Sequence, residues 1–372
     1  MTLSVEALRD PGQFDQIASE WEALDAQISP RTPFTSPLWN VLWWRHFRRN
    51  SLLETDHFFC HIVRGGRGEL IAVAPLMLTH RPSFGPLRLR ILNFFGADTS
   101  ITELRGMICR NEDQGRALQA LAGCLRDKRT QWDMILWSGL DGQGAQRGLL
   151  QESGSLFPIG ELPAYFIRLP GTWDELRLSL SSNMRKNIRK AYESIEDAGS
   201  AYEFQVIEKA TEAETALDRF FFLHASRSNA PNMIRHPNKF AAARNRAFLI
   251  EYVRKIAERG QLRIFQLRVG STVVASRLAF LLNKDLYFYY AGYDPSLREY
   301  SVMTLLMTEA LKWAIANGVE IANLSTGKDQ SKLRWKPDEI IFQSFVQPSP
   351  TYFGLASSRI YRGYYGAQKI EY

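Results

Sequence analysis

The sequence predicts an α/β protein with mixed sheets, arranged as two modules in tandem. Three observations lead to this fold class. Helical and strand-like patterns alternate along all 372 residues. The order helix, hairpin, third strand, helix, strand occurs twice, with an offset of about one domain length. A hydrophobic content of 45% supplies enough apolar side chains for two cores. The halves share their layout without a residue-level repeat, so a chance order of elements is the alternative to duplication.

The first module begins with a helix. Ser36 and Pro37 suit the N-cap and the first helical position, and the helical pattern continues to Arg48. The runs 57–64 and 69–80 then indicate two strands joined by a Gly-Gly-Arg-Gly turn. A third strand is predicted near 87–95, a helix at 111–126 and a buried strand at 132–137.

The second module repeats this order with clearer boundaries. Its predicted elements are a helix at 237–258, strands at 261–269, 272–282 and 285–293, a helix at 301–317, and strands at 321–324 and 339–346. Apolar residues in the second of these helices recur at helical spacing, and Gly318 is a suitable stop signal. A tyrosine-rich tail from Ser349 predicts a final helix.

Composition narrows the function classes. Cys60, Cys109 and Cys124 are too few and too far apart for a disulfide framework or a zinc site, which indicates a reducing, cytoplasmic location and no metal. No stretch approaches the ~20 apolar residues of a membrane-spanning helix, and the N-terminus lacks the pattern of a signal peptide. The net charge of +7 is spread along the chain, which favours phosphate-bearing ligands over a DNA-binding face.

Several segments in the second half resemble the GNAT superfamily of N-acyltransferases. The matching segments are LSLSSNMRKNIRKA (178–191), FFFLHASR (220–227), VVASRLAF (273–280), LYFYYAGYDP (286–295), REYS (298–301) and GKDQSKLRW (327–335). Together they look most like the CelD-like acetyltransferases found with bacterial polysaccharide biosynthesis genes. That group is related in fold to Fem-type aminoacyltransferases, which carry two GNAT-like modules. The first half of the chain is similar only in layout.

The resemblance implies two GNAT-like modules, 1–165 and 166–372, that share a central cleft. It also implies an N- or O-acyltransferase that uses acetyl-CoA or another acyl-CoA, with a sugar or another cell-envelope precursor as acceptor. GNAT enzymes transfer the acyl group by direct attack of the acceptor on the thioester, so no nucleophilic serine or cysteine is required. The absence of a Gly-x-Ser-x-Gly sequence agrees with this mechanism.

The chain departs from the family pattern in three places. Val302 and Met303 stand where Pro-Gly usually lets the backbone approach a pyrophosphate. Ser331 replaces a tyrosine that commonly precedes the lysine, and Asn323 replaces an acidic residue. Of these departures, the replacement of glycine by Met303 has the largest consequence for cofactor binding. Met303 supplies the same backbone N–H group, but its side chain adds bulk where the pyrophosphate would approach.

The start of the predicted helix at 301–317 is the candidate cofactor site. Its residues are Arg298, Ser301, Val302, Met303 and Thr304. If Ser301 caps the helix, the next three N–H groups point toward an anion, and the helix dipole adds to the attraction. The resemblance favours the pyrophosphate of acyl-CoA as that anion. An ordinary serine-capped helix is the alternative.

Acyl transfer needs a base for the acceptor, donors for the oxyanion and an acid for the thiolate. The candidate residues are Lys332, Asp294, His224 and Tyr290. Lys332 suits an oxyanion or a phosphate, and Tyr290 suits the acid. Asp294 or His224 suits the base. The alternatives are a surface lysine, a packed tyrosine, a core histidine and a turn aspartate before a proline.

Five further residues are candidates for acceptor binding, namely Arg185, Arg189, Arg227, Tyr289 and Trp335. Arg185 and Arg189 are four residues apart and share a helix face, where they could hold an anionic acceptor. A solvated basic face is the alternative. Tyr289 and Tyr290 are expected on opposite strand faces, so that one lines the cleft and the other packs. Trp335 is expected either to stack on a ring of the acceptor or to pack.

Two other functions fit the same residues. One is aminoacyl transfer from charged tRNA, as in Fem-type proteins. These usually hold the tRNA with a long coiled-coil insertion, which the short predicted helices at 172–198 and 237–258 do not resemble. The other is a degenerate GNAT fold that acts as a scaffold in a polysaccharide-synthesis complex. Binding of CoA, of tRNA or of neither separates the three.

Overall fold

The computed structural model describes residues 3–85, 88–98, 101–142, 145–152, 154–197, 201–228 and 237–367. The chain divides into two compact units. Unit 1 consists of Met1–Ala164 with Ile340–Tyr372, and unit 2 consists of Tyr165–Glu339. The segment from Ile340 onward therefore groups with unit 1, whereas the sequence analysis placed it in the C-terminal module.

Helices and strands alternate along the chain. The first are β1 (Ser4–Ala7), α1 (Gln13–Asp25), α2 (Pro37–Phe47), β2 (Thr55–Phe58), β3 (His61–Arg64), β4 (Leu70–Ala74), β5 (Leu76–Arg81), β6 (Leu89–Phe94), β7 (Ile108–Cys109), α3 (Gln114–Asp127), β8 (Met134–Asp141), α4 (Ala145–Gln151) and β9 (Phe157–Arg168). They continue with α5 (Trp173–Ser179), α6 (Ser182–Asp197), β10 (Tyr202–Ile207), α7 (Ala210–Ser228), α8 (Ala243–Glu258), β11 (Leu262–Val269), β12 (Thr272–Leu282), β13 (Asp285–Tyr293), α9 (Val302–Ala316), β14 (Ile321–Thr326), α10 (Gln330–Leu333), β15 (Asp338–Pro348) and α11 (Tyr352–Ala367).

Unit 1 contains two groups of strands. One has the order β1-β3-β4-β7, and the other has the order β15-β8-β6-β5-β2. The prediction of single strands at 57–64 and 69–80 is wrong, because each run breaks in the middle and its two halves join different groups. Pro75 separates β4 from β5, since proline has no N–H group for the ladder and a fixed φ. The predicted turn between β3 and β4 is confirmed, with Gly68 at φ 84°.

Unit 1 also contains a strand–helix–strand unit. β6 and β8 are parallel, and α3 lies between them in the chain. The core beside these strands includes Phe94, Trp132 and Trp137, all of which are buried. The predicted N-cap of α2 is confirmed, because the Ser36 hydroxyl accepts a hydrogen bond from the Trp39 N–H at 3.2 Å.

Unit 2 contains strands in the order β10-β11-β12-β13-β14-β9. β10 to β13 form an antiparallel meander, and β14 then lies parallel to β13 after α9. The pairing of β13 with β14 covers only Asp285–Tyr287 and Ile321–Asn323. Because no pairing follows within these described strands, the sheet opens between the C-terminal ends of β13 and β14. We call this gap the sheet opening.

A bulge interrupts β13 opposite Leu278. Arg277 pairs with Ala291 and Ala279 pairs with Phe288, so Tyr289 and Tyr290 together face a single residue of β12. The alternation of side chains along β13 therefore shifts by one residue at this point.

The core of unit 2 packs α6 and α9 against the sheet. Its largest buried members include Tyr165, Phe265, Phe288 and Trp335. The predicted end of α9 is confirmed, because Gly318 adopts a φ of 71° just beyond the helix.

The boundaries of β11, β12 and β13 agree with the sequence prediction to within a residue, whereas α8 begins later than predicted, at Ala243. The predicted start of the third strand at residue 87 lies outside the described residues. None of the helices in the described ranges has the length and apolarity needed to cross a membrane.

Candidate functional site

The candidate site of unit 2 lies at one end of its parallel strands. Because β13 and β14 are parallel, the loops that follow them leave the sheet at the same edge, and so does the start of α9. The first loop spans 294–301, and the second spans 327–337. Most of the predicted catalytic and cofactor residues are in these two loops or in the first turn of α9.

The start of α9 presents backbone N–H groups rather than a side-chain cap. Ser301 occupies the N-cap position with φ 53° and ψ 34°, and its side chain makes no capping hydrogen bond. Among the described residues, no acceptor pairs with the N–H groups of Val302 and Met303. The first turn of α9 contains no acidic residue. The helix start therefore remains favourable for an anion.

Two predictions for this segment need correction. Ser301 does not cap α9 with its hydroxyl, because its left-handed backbone replaces the extended conformation typical of a serine cap. The Thr304 N–H is not directed to a ligand, since it donates to the Ser301 carbonyl at 2.8 Å. Arg298 is exposed in the preceding 3₁₀ turn. The Met303 side chain packs against the core of unit 2.

Lys332 stabilises the start of the second loop through hydrogen bonds to backbone carbonyls. Its ammonium group donates to the carbonyl of Thr326 and, at 3.2 Å, to the carbonyl of Gly327. Asp329 caps α10 by accepting a hydrogen bond from the Ser331 N–H at 2.7 Å. Lys332 is thus half-buried and holds the end of β14, which differs from the solvated surface lysine of the alternative interpretation.

Three arginines of unit 2, Arg227, Arg277 and Arg334, interact electrostatically with one another. Arg277 belongs to β12 and pairs with Ala291 of β13, which lies beyond the last residue of β13 that pairs with β14. The guanidinium group of Arg277 lies 5.5 Å from the ring centre of Phe288. Burial and, second, the positive charges of Arg227 and Arg334 lower the pKa of Arg277 to about 10. The negative charge of Asp329 raises the pKa of all three arginines and so partly offsets these effects. Arg227, a predicted acceptor-binding residue, is therefore part of a larger group.

His224 is a core residue. Its Nε2 accepts from the Lys239 N–H at 3.4 Å, so its Nδ1 carries the proton and donates to the Ala291 carbonyl at 3.0 Å. The imidazole is only 4% exposed and stacks on Phe220 at a ring distance of 5.7 Å. Both ring nitrogens are engaged in the fold, so His224 is not placed to act as a base.

The expected opposite orientation of Tyr289 and Tyr290 is wrong. Their ring centres are 4.4 Å apart, and both rings contact Phe240. The bulge in β13 is the physical reason, because it puts two successive residues on the same face. Gly292 is on that face and lies against the backbone of α7. A Cβ added to Gly292 would come within 2.2 Å of the backbone nitrogen of His224.

Asp294 and Trp335 have structural roles. The Asp294 carboxylate accepts from the N–H of Ser296 at 3.0 Å and from its hydroxyl at 2.7 Å, which is the turn geometry of the alternative interpretation. Trp335 is 2% exposed within the core of unit 2, so it packs and does not stack on a ligand.

The basic face of α6 is engaged locally. Arg185 donates to the carbonyls of Leu178 and Leu180, at 3.2 and 2.7 Å, and so stabilises the end of α5. Arg189 is exposed and pairs with Glu193 at 3.3 Å. These contacts favour the solvated basic face over an acceptor site.

Sequence reasoning missed Arg277, Asp329 and Arg334. The available signal was Arg277, a charged residue inside the otherwise apolar run VVASRLAFLL. Its partners come from segments far away in the chain, which only the fold brings together.

Residues 182–336 match the family model described as an acetyltransferase (GNAT) domain. The match lies within unit 2 and covers less than half of the chain, and it supports a GNAT-type acyltransferase. The sequence-based prediction of an enzyme of this type is confirmed, whereas its relation to CelD-like acetyltransferases stays a prediction. No curated protein has a sequence that matches the chain.

Solved structures show the same fold at low identity. The crystal structure of FemX has a TM-score of 0.60 and 11% identity, and the alignment covers 92% of this chain and 97% of that one. The structure of L-PGS from Bacillus licheniformis has a TM-score of 0.51, 12% identity and coverages of 95% and 96%. A conserved protein from Bacteroides thetaiotaomicron has a TM-score of 0.50, 13% identity and coverages of 93% and 100%. The predicted fold of GNAT-like modules in tandem is confirmed, and a shared cleft stays a prediction.

Proposed function

We propose that the protein is an acyl-CoA-dependent N- or O-acyltransferase that transfers an acetyl group to a sugar or another cell-envelope precursor. The observation that carries the proposal is the start of α9. Its amides at Val302 and Met303 have no described acceptor, its first turn has no acid, and it begins at the edge where the sheet opens. A pyrophosphate at this helix start would leave the thioester end of CoA free to extend toward the opening.

The residues of unit 2 have separate tasks in this proposal. The α9 amides and the exposed Arg298 bind the pyrophosphate. Lys332 fixes the end of β14 and brings a positive charge to the second loop, where it favours developing negative charge. CoA itself supplies the activated thioester and the leaving thiolate. The general base is neither His224 nor Asp294, since both side chains are engaged in the fold.

The test uses a charge introduced at the helix start. Ser301→Asp should preserve stability, because aspartate tolerates the left-handed backbone and its negative charge is favourable at a helix N-terminus. It should also weaken CoA binding about tenfold or more, because a carboxylate repels the pyrophosphate. Ser301→Asn is the matched neutral control and should bind like the wild type. Calorimetric titration with CoA and acetyl-CoA measures these affinities.

The outcome of the same titration separates the alternatives. Absence of CoA binding in the wild-type protein rejects the CoA-dependent function. Binding of charged tRNA in its place supports aminoacyl transfer, although the helices of unit 2 in the described ranges reach only 19 residues in α7 and do not form a long arm. Binding of neither supports the scaffold.

A further inference from the structure

Three arginines from three different elements of unit 2 lie close enough to one another to interact electrostatically. Arg227 comes from α7, Arg277 from β12, and Arg334 follows α10. The carboxylate that acts on all three is Asp329. We call Arg227, Arg277 and Arg334 the arginine cluster. The three guanidinium groups and this one carboxylate together carry a net charge of about +2.

The position of Arg277 indicates that the cluster is not an ordinary structural ion pair. Its Nε atom is buried and has no hydrogen-bond partner among the described residues. A buried, unpaired guanidinium nitrogen is costly, because burial removes water without supplying an acceptor. Arg277 lies at the level of Ala291, where β13 no longer pairs with β14, so the missing acceptor would reach it from the opening.

Half-buried arginines in unit 1 show the usual arrangement. Arg90 donates to Asp133 with Nε at 3.2 Å and Nη2 at 2.8 Å, and Arg49 donates to Asp56 with both Nε and Nη2 at 2.9 Å. Each of these guanidinium groups has a carboxylate in fork geometry. The arginine cluster has one carboxylate for three guanidinium groups. The contrast indicates that a negative charge is supplied from outside the chain.

We propose that the arginine cluster binds an anionic group of the acceptor, a carboxylate or a phosphate, and so restricts the enzyme to acidic acceptors. The assignment of this group to the acceptor rests on the proposed function. Guanidinium groups bind both anions through paired N–H donors, which fixes the orientation of the bound molecule. The acceptor nucleophile is then held at the opening, near the carboxyl ends of β13 and β14.

The test uses the full chain and simple anions at constant ionic strength. Inorganic phosphate and acetate are titrated separately, with binding followed by calorimetry and by the melting temperature. Arg227→Gln and Arg334→Gln should each weaken anion binding about tenfold or more, as expected for the loss of a charge-assisted hydrogen bond. Arg189→Gln removes one exposed charge from α6 and should bind like the wild type. Tighter binding of acetate than of phosphate identifies a carboxylate acceptor, and the reverse identifies a phosphate.

The melting temperature separates anion binding from a structural role. Without added anion, Arg334→Gln should melt at or above the wild-type temperature, because it removes repulsion between like charges. With phosphate, the wild type should gain stability and the variant should not. A variant that loses stability equally under both conditions, with unchanged phosphate affinity, overturns the proposal.

Phosphate could also bind at the start of α9, so the titrations are repeated in the Ser301→Asp variant. Retained phosphate binding in this variant supports the arginine cluster. Loss of phosphate binding there, together with normal binding in the arginine variants, overturns the proposal. Failure of CoA binding affects only the proposed function, because these titrations contain no CoA.

Discussion

Unit 1 and unit 2 each contain two parallel strands joined through a helix, but only one of the two helix starts suits an anion. In unit 1 the strands are β6 and β8, with α3 between them in the chain. In unit 2 they are β13 and β14, with α9 between them. The helix starts differ in charge. Asp113 precedes α3 as a buried carboxylate, and it accepts hydrogen bonds at 2.8 Å from Arg110 and Arg116. Ser301 precedes α9, and no acid follows in its first turn.

The regions beyond the paired parts of these strands also differ in charge. In unit 1, β6 continues to Phe94, whose ring lies 6.2 Å from that of Trp137 in a buried apolar core. In unit 2, the equivalent region contains the arginine cluster and Lys332. One strand–helix–strand layout therefore supports a packed core in unit 1 and a charged site in unit 2. The chemistry of each unit therefore depends on the side chains at the helix start and at the strand ends, and the shared layout does not determine it.

Glycine substitutions should give the largest contrast between the units. Gly292→Ala in β13 places a Cβ within 2.2 Å of the backbone of α7, which cannot move without shifting the helix. The expected loss in the free energy of unfolding is about 3 kcal/mol or more. Urea unfolding measures it.

The matched change in unit 1 is Gly123→Ala in α3, where an added Cβ meets nothing within 4 Å. It should raise the free energy of unfolding by about 0.5–1 kcal/mol, because alanine favours the helix. Equal effects of the two substitutions would contradict the close packing of α7 on β13.

Acid should weaken unit 1 through a buried histidine. Burial and, second, the charge of Lys128 lower the pKa of His61 to about 4. The unfolded chain takes up this proton near pH 6.5, so stability is complete above that pH and declines as the pH falls toward 4. The expected loss between pH 7.5 and 5 is about 2 kcal/mol.

His61→Gln should reduce this pH dependence in urea unfolding at the two pH values. It should not remove all of it, because burial also lowers the pKa of His80 to about 4. An unchanged slope in His61→Gln would show that His61 is not the responsible group.

Lys332→Ala should lower acetyl-CoA turnover about tenfold to a hundredfold. In the proposed function its ammonium group stabilises negative charge that develops during transfer, and the loss of such a charge-assisted contact costs about 1.5–3 kcal/mol. Lys328→Ala removes an exposed lysine from the same loop and serves as the control. Release of free thiol from acetyl-CoA gives the rate. Equal rates for the two variants would return Lys332 to a purely structural role.

Met303→Gly should have the smallest effect on binding. Since the Met303 side chain packs against the core of unit 2, its removal does not clear a path for CoA. Stability should fall by about 1–2 kcal/mol, from lost burial and lower helix propensity. Met303→Ala separates these two causes. A gain in CoA affinity in Met303→Gly, measured by calorimetry, would show that the methionine obstructs the site.

The sequence predicted unit 2 well because its elements have strong local signals. The turn at Gly270–Ser271 and the stop at Gly318 fix the ends of β11, β12 and α9. The helix start at Ser301 was found from the resemblance and from the loop before it. Local signals do not report an extra residue in a strand, so the bulge at Tyr289 and Tyr290 was missed.

Other features depend on contacts between distant segments. The break at residues 59–60 becomes visible only when the two groups of strands in unit 1 are known, whereas Pro75 was a local signal for the other break. His224 had a suitable pKa for a base, but the backbone groups of Ala291 and Lys239 engage both its nitrogens. The arginine cluster was beyond prediction for the same reason, since its members come from three separated elements.

The bulge in β13 reverses which face of the sheet each following side chain occupies. Because it adds one residue, Gly292 meets α7 and Tyr293 enters the opposite core. A β13 of the same length without the bulge would turn Tyr293 toward the α7 backbone, where even a methyl group does not fit. Deletion of Tyr290 would instead leave the pairs Arg277–Ala291 and Ala275–Tyr293 in place and keep Tyr293 on its present face. The extra residue therefore serves to place two successive aromatic rings on one face of the sheet, which a regular strand does not do.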